Sequence, residues 1–439
     1  MKFRQERIHP TQGGFTLNRV SSIFSQILQL VPRHLFERAV RDHKGERHAR
    51  GFTCWDQFVA MLFCQLAQSK SLREISEGLR ASEGKLKHLG LSGAPSHSTL
   101  AYANQHRPWQ IYETLFESLL EHLRRALPGA AQAPRLKLPG KLLSLDSTVI
   151  DLCASVFDWA HYTTAKGAVK LHLLLDHDGL LPHYAVLTDG KRSDIAVART
   201  LRLPARSLLV FDRGYTDYAW FAQLDDDGVW FVTRLKQGAA YDFISANERT
   251  DERVHADDLI QFRQHDKPGQ ERFFRRVVWW DAERKRSFEF LTNQLTLDAA
   301  TIAAIYRERW QIELLFKALK QNLRIKTFVG TSSNALHIQI WTALIALLLV
   351  RFLQLRSRVN RHLSRFLALL RQQLFVYRDL GRFLHDPFER PPRPPLDEPQ
   401  LLLDWSGEHS VQNPQPASGI DRSETASPAE STRVLAEIS

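Results

Sequence analysis

Apolar residues recur at helical spacing over Ser21–Ala39 (SSIFSQILQLVPRHLFERA) and again over Phe52–Ser69 (FTCWDQFVAMLFCQLAQS), with the basic run RDHKGERHAR between them. Thr53, followed three residues later by Asp56, is placed to cap the second helix. A third helix is expected over Ser71–Leu79 (SLREISEGL), and a fourth after Gly93, where SHSTL supplies a capping serine. Short helix, turn and capped helix is the outline of a helix-turn-helix module, an outline that small helical bundles share.

The pattern breaks over Ala126–Gly140 (ALPGAAQAPRLKLPG), which is rich in Pro, Gly and Ala and reads as a linker. Beyond it the period shortens to that of strands. Lys141–Leu152, Ala168–Leu175 and His183–Leu187 are strand-like, with Asp178 and Gly179 turning the second into the third. Leu208–Phe211 is a short buried strand, Thr216–Leu224 a helix and Val229–Leu235 another strand. Phe273–Trp280 and Ser287–Thr292 are two more, joined by the charged turn DAERKR. Ile305–Lys320 (IYRERWQIELLFKALK) reads as one helix with two faces. At about 100° per residue Tyr306, Arg309, Glu313 and Lys320 share one side, and Ile312, Leu315 and Leu319 the other. Ile340–Val350 reads as a buried helix and Arg351–Phe383 as a basic helical stretch, its arginines forming either a solvated face or a DNA-facing stripe. From Pro391 the chain is rich in Pro, Ser and acid without period, as in a disordered tail.

Composition narrows the partners. The chain has 439 residues, 44% of them hydrophobic and 24% charged, enough for two or three domains with a substantial core. A formal net charge of +11 points to a polyanion, either nucleic acid or an anionic membrane surface. The longest apolar run, Ile340–Val350, falls short of the roughly 20 residues that span a bilayer, and the first residues lack the apolar core of a signal peptide. Both observations weaken the membrane reading. Cys54, Cys64 and Cys153 form neither a C-x-x-C pair nor an even framework, so no structural zinc or disulfide scaffold is indicated and a reducing, cytosolic setting is expected.

A carboxylate on a helix, flanked by Arg and Lys, suits a metal ligand beside a phosphodiester, although spacing alone favours a solvated face with i,i+4 ion pairs. The spacing of Tyr306, Arg309, Glu313 and Lys320 also resembles the Tyr-Arg-Glu-Lys signature of bacterial insertion-sequence transposases of the "IS four" family, a branch of the DDE transposases. All four positions match. The resemblance implies a ribonuclease-H-like fold on which Glu313 completes a triad with two upstream aspartates. Asp146 in LLSLDST and Asp212 in LVFDRGY stand where that fold places them, within the first strand and at the end of the fourth. Each alone is also an ordinary turn or cap residue. Asp189 and Asp194, in TDGKRSD, are expected to cap the following helix instead.

The fold expected is therefore α/β: a ribonuclease-H-like catalytic core over 141–237 and 296–350 with a β-rich insertion over 238–295, preceded by an all-α domain over 1–125 and the linker 126–140. A basic helical region over 351–390 and a disordered tail over 391–439 complete it. The resemblance links the N-terminal helices to recognition of the element's ends. Three converging carboxylates would repel one another without cations between them, which suggests two metal ions, Mg²⁺ or Mn²⁺, held by Asp146, Asp212 and Glu313. By resemblance Asp146 bridges both ions, and Tyr306, Arg309 and Lys320 grip the DNA backbone. Lys170, His172 and Arg213 are further candidates for phosphate contact, against the plainer reading of ordinary exposed residues. Trp279 and Trp280 are either core or, as the resemblance implies, aromatics able to stack on a base drawn from the duplex. The implied activity is cleavage of the inverted-repeat ends of the chain's own insertion sequence and transfer of the 3′ ends to target DNA, with duplex DNA as partner, a homodimer in the DNA complex and a place on the nucleoid. Alternatives are a catalytically inactive, transposase-derived DNA-binding protein and a nuclease of the same fold.

Overall fold

The computed structural model describes residues 21–388 apart from 48, 50, 128–135, 153–167, 263–270, 324, 326–327 and 360. The expected tail, the middle of the expected linker and Cys153 lie outside the described residues.

The chain opens with α1 Ile23–Leu28, α2 Arg33–Asp42, α3 Cys54–Ala67, α4 Leu72–Arg80, α5 His97–His106 and α6 Gln110–Arg125. The single helix expected over residues 21–39 is two, because Pro32 has no N–H to continue the ladder and instead stands, extended, as the N-cap of α2. Thr53 and Asp56 form the reciprocal capping box expected at the start of α3. Between α4 and α5 lies a 3-10 stretch, Glu83–Leu89, in place of the turn of about three or four residues that a helix-turn-helix needs.

Nine strands follow: β1 Leu142–Asp151, β2 Ala168–Asp176, β3 Leu181–Asp189, β4 Leu208–Phe211, β5 Trp230–Arg234, β6 Asp242–Ala246, β7 Val254–Gln261, β8 Phe274–Asp281 and β9 Arg286–Thr292. Helix α7 Asp194–Ala198 precedes β4, and α8 Tyr218–Asp226 links β4 to β5. The sheet order is β3-β2-β1-β4-β5-β9-β8-β7-β6. Its first five strands, with β1, β2 and β3 antiparallel and β1, β4 and β5 parallel, have the ribonuclease-H-like arrangement. Gly140 admits the chain to β1, for a Cβ there would stand 1.7 Å from the Arg206 carbonyl oxygen.

The expected β-rich insertion does not stand apart from this core. Strand β9 pairs antiparallel with β5, so β6–β9 continue the same sheet. Strand β7 (VHADDLIQ) escapes a reading by propensity because consecutive aspartates are rare in strands. It is stable here because β8 answers each of them. Arg275 clasps Asp257 in a buried pair at 2.6 Å, and Arg276 reaches Asp258 at 2.6 Å.

The chain ends in α9 Ala299–Glu308, α10 Trp310–Asn322, α11 Ser333–Arg356, α12 Leu363–Gln373 and α13 Leu380–His385. Helix α11 is about twice as long as its apolar run suggested. By length and composition it could cross a membrane, but 89% of its most apolar window is buried inside the protein. It packs on α3, α5, α6 and α12. The first helices are sealed to the last: Ile23 N–H donates to the Val376 carbonyl (3.0 Å), Phe24 N–H to that of Leu374 (2.8 Å) and the Arg371 guanidinium to that of Leu66 (3.1 Å). Residues 1–125 and 351–390, expected as separate regions, therefore share one hydrophobic core running from Ile23 to Leu384.

Candidate active site

Side chains alternate across a strand, and β1 shows it cleanly. Leu143 and Leu145 pack with Phe211, Phe221 and Leu224 on the α7–α8 side of the sheet, whereas Leu142 packs with Val210, Ile302 and Ile305 on the other. Asp146 has the parity of Leu142, so it faces the α9–α10 side. The register that sets Leu145 beside Phe211 places Asp212, the next residue, alongside Asp146 on the neighbouring parallel strand. Asp212 Oδ1 accepts the Gly214 N–H at 2.8 Å, closing the turn that ends β4. A Cβ on Gly214 would stand 2.9 Å from that oxygen, so a larger residue would push the carboxylate out of place. Asp212 is thus both the turn residue that its position suggests and a neighbour of Asp146.

Glu313 comes from the first turn of α10. The stretch 305–320 is two helices instead of one. Arg309 keeps helical dihedrals (φ −51°, ψ −31°), but its N–H bonds the Tyr306 carbonyl and its own carbonyl takes the Ile312 N–H, an i−3 tightening on either side. The Arg309 guanidinium donates to Glu313 Oε1 and stands 3.5 Å from Asp146 Oδ2. One cation thereby links two carboxylates from distant parts of the chain. Tyr306 lies beneath it, packed on Phe290. Asp146 is held up at about 6, first by burial and then by the charges of Asp212 and Glu313, with the Ser147 N–H and Arg309 working against them. Burial is thus the main reason that the carboxyl group resists ionising, and the like charges of Asp212 and Glu313 add to it.

Asp146, Glu313 and Lys320 line an open groove of about 390 Å³, with Thr148, Phe316 and Lys317. Lys320 Nζ donates to the Val149 carbonyl at 2.8 Å, fixing the amine over the end of β1. Arg213, beside Asp212, is exposed. Trp310, next to Arg309, is 53% exposed on the outer side of α10. At about 100° per residue it falls within roughly 60° of Glu313, a signal that the sequence holds and the reading of the four signature residues left unused.

Lys170 and His172 belong elsewhere. His172 pairs in register with Ser147, and so lies on the opposite face from Asp146. It is 1% exposed, bonded to Thr188 Oγ1 at 2.9 Å and 3.5 Å from Asp194, and burial holds its pKa down at about 4. Lys170 is committed to the Arg192 carbonyl and to Asp194. Neither is free to meet a phosphate. Asp194 does not cap a helix either: it pairs with these two side chains, while Asp189 accepts the N–H groups of Lys191 and Arg192. Trp279 is buried under Arg253, which removes it as a base-stacking platform. Trp280 is half-buried and stacked on His255 at 5.8 Å.

Among the described residues no three His, Cys, Asp or Glu side chains stand close enough to grip a metal ion as placed. The donor set around Asp146 nonetheless fits one. It is all oxygen, as Mg²⁺ and Mn²⁺ prefer, and its central carboxylate, held up by burial, stands beside a second acid that shares its one guanidinium.

Residues 137–349, which carry all three acids, match the family model described as a transposase DDE domain, and residues 19–92 match a domain of unknown function (DUF4372). The chain is 30% identical over 304 residues to y4zB of Sinorhizobium fredii, named as a transposase, covering 68% of this chain and 82% of that one. It is 28% identical over 281 residues to the chain named as the transposase of insertion sequence element IS5377 of Geobacillus stearothermophilus (63% and 72% covered). A third similar chain, named as the transposase of IS4SA of Synechocystis, is 24% identical over 251 residues (54% and 67% covered).

Proposed function

Since this chain belongs to the DDE transposases of "IS four"-type insertion sequences, we propose that it cuts the inverted-repeat ends of its own element and joins the freed 3′ ends to target DNA. The observation that carries the reading is the convergence of Asp146, Asp212 and Glu313 on one side of the sheet, with Arg309 shared between the first and the last. Asp146, Asp212 and Glu313 would hold two divalent cations, Mg²⁺ or Mn²⁺. Bound there, the cations would acidify the attacking water or 3′ hydroxyl and support the leaving 3′ oxygen.

The chain's own side chains do the rest. Arg309 releases its hold on Asp146 and Glu313 and turns its guanidinium to a phosphate, a group it can meet with two parallel donors. Lys320, already over the end of β1, and the exposed Arg213 hold the backbone on either side of the acids. Trp310 offers its exposed ring to the same substrate. Duplex DNA is the partner, two copies of the chain act on a pair of ends, and the protein works on the nucleoid.

The test is a plasmid carrying the gene with its flanking DNA, incubated with the purified chain and Mg²⁺ or Mn²⁺. The reading expects excision at the repeats and joined products in a second plasmid. Cutting that ignores the repeats and yields no joined ends would instead mark a nuclease, and binding without any cutting an inactive descendant.

A further inference from the structure

Two residues before Asp146, on the same side of β1, Ser144 is completely buried (0% exposed). Its Oγ lies 2.6 Å from Nε2 of His177, the residue that follows β2. His177 is also buried and is anchored by its own N–H to the Leu142 carbonyl. Its Nδ1 faces Glu308 Oε2 at 3.6 Å. Glu308 is the last residue of α9, immediately before Arg309 at the break between the two helices. A carboxylate, an imidazole and a hydroxyl thus stand in series from the helix junction to the strand that carries Asp146.

We propose that Ser144, His177 and Glu308 form a positioning clamp that fixes the α9–α10 junction against β1, and so sets Glu313 at its working distance from Asp146 and holds the backbone from which Arg309 reaches. The proposal rests on the reading of the three acids as the reaction centre. The residue types are those of a hydrolytic triad, but Ser144 has no surface to offer a substrate and attacks nothing. The carboxylate facing Nδ1 favours the tautomer with the proton on that nitrogen, leaving Nε2 to accept the Ser144 hydroxyl proton. The Ser144 bond and the backbone anchor hold the ring, and the Glu308 carboxylate faces it at 3.6 Å, a charge contact longer than a hydrogen bond.

Three features set the clamp apart from ordinary core polarity. Its surroundings are apolar: Leu142, Leu208, Val210, Ala303 and Ile305 fill the same layer, where hydrocarbon would pack without the cost of burying polar groups. Glu308 also stands at the junction itself, the last residue of α9 and the one before the N-cap of α10, where the opposed ends of the two helix dipoles meet and neither helix alone accounts for an acid. Finally, the clamp meets the helices at their one tightened joint, one residue before Arg309 and one turn before Glu313. A misplacement of about 1 Å there is enough to cost on the order of 10²-fold in rate.

The test uses the full chain, supercoiled plasmid DNA and Mn²⁺, with Glu308→Ala, Glu308→Gln, Ser144→Ala and, as control, Asp146→Ala. Mn²⁺ binding is read from the electron paramagnetic resonance of the free ion, nicking from gels and folding from thermal melts. Glu308→Ala should raise the Mn²⁺ midpoint and slow nicking by roughly 10- to 100-fold while still melting cooperatively. Glu308→Gln, whose amide oxygen can still face Nδ1–H, should recover most of both. Ser144→Ala, which removes one buried hydroxyl and little bulk, should shift them the same way by a smaller factor. Wild-type Mn²⁺ binding and nicking in Glu308→Ala, or losses in all three variants that merely follow the unfolded fraction, would overturn the clamp. If Asp146→Ala nicks normally, the acid centre itself is wrong. If Asp146→Ala is dead while Glu308→Ala is unaffected, the clamp alone falls.

Discussion

The two faces of β1 and β2 carry similar side chains and put them to opposite use. On the α9–α10 side Asp146 borders an open groove, with Glu313 and a single guanidinium for company. On the α7–α8 side Lys170, His172 and Asp194 satisfy one another, and His172 is sealed from solvent. Both faces hold acids and bases within a few ångströms. What separates them is that one group pairs off its acid with its bases and the other leaves a carboxyl, held up by burial and by two neighbouring acids, at an opening.

The sharpest way to break this contrast is to remove one carboxylate from each face. Asp146→Ala or Glu313→Gln should lower Mn²⁺-dependent plasmid nicking by roughly 10³-fold or more, whereas Asp194→Asn should lower the melting temperature and leave nicking within about threefold. Loss of nicking in a well-folded Asp194→Asn protein would place both faces in the reaction.

Stability against pH should separate the faces by sign. In the fold without bound cations Asp146 titrates near 6, above its ordinary 3.8. Its ionised form therefore destabilises the fold above about pH 6, and that loss is relieved as pH falls toward 3.8. His172 is held near 4, below its ordinary 6.5, so its contribution is complete above pH 6.5 and lost as pH falls toward 4. Asp146→Asn should raise stability at pH 8 but not at pH 4, and His172→Gln should flatten the decline between pH 6.5 and 4, each by about 1–3 kcal/mol. Thermal melts over that range decide it, and shifts of one sign for both variants would contradict the contrast.

The smallest expected effect concerns the two lysines. Lys320→Ala should weaken duplex binding a few-fold and reduce the salt slope by about one phosphate contact, while Lys170→Ala should leave the slope unchanged. Fluorescence anisotropy of a labelled duplex across salt concentrations measures both, and equal slopes for the two variants would mean that Lys320 does not touch phosphate.

Period and punctuation carried much of this fold: strands β1–β5 and the capping box of α3 are legible in the chain, whereas the acids at β1, β4 and α10 stand out only through the family resemblance. The failures have physical causes. Strand β7 is hidden because its aspartates are balanced by arginines of β8 that lie close in space but not in sequence. Lys170 and His172 were misjudged through neglect of parity, which the two-residue period could have supplied once a register with β1 was assumed. Ser144 and His177 left no signal, because a single buried serine and a histidine after a strand look like any others until the third dimension joins them to Glu308. The union of α1–α6 with α11–α13 was equally invisible, since amphipathic faces do not name the partners that cover them.

That union bears on how the chain comes into being. Gln26 bonds the Arg378 carbonyl and accepts the Leu380 N–H, contacts that span 352 and 354 residues. At about 5–20 residues per second of synthesis, roughly 20–70 s separate the emergence of the two ends from the ribosome. For most of that interval the first helices have no α11 to cover them, and their apolar faces are open to chaperones, to other nascent chains or to proteases. Closing so long a loop is also slow in its own right, because the chain entropy is lost before the contacts form. Fragments cut short before residue 371 would lack the whole seal. The rate at which working protein appears is thus tied to completion of the C-terminal helices, long after the acids of the sheet have been translated.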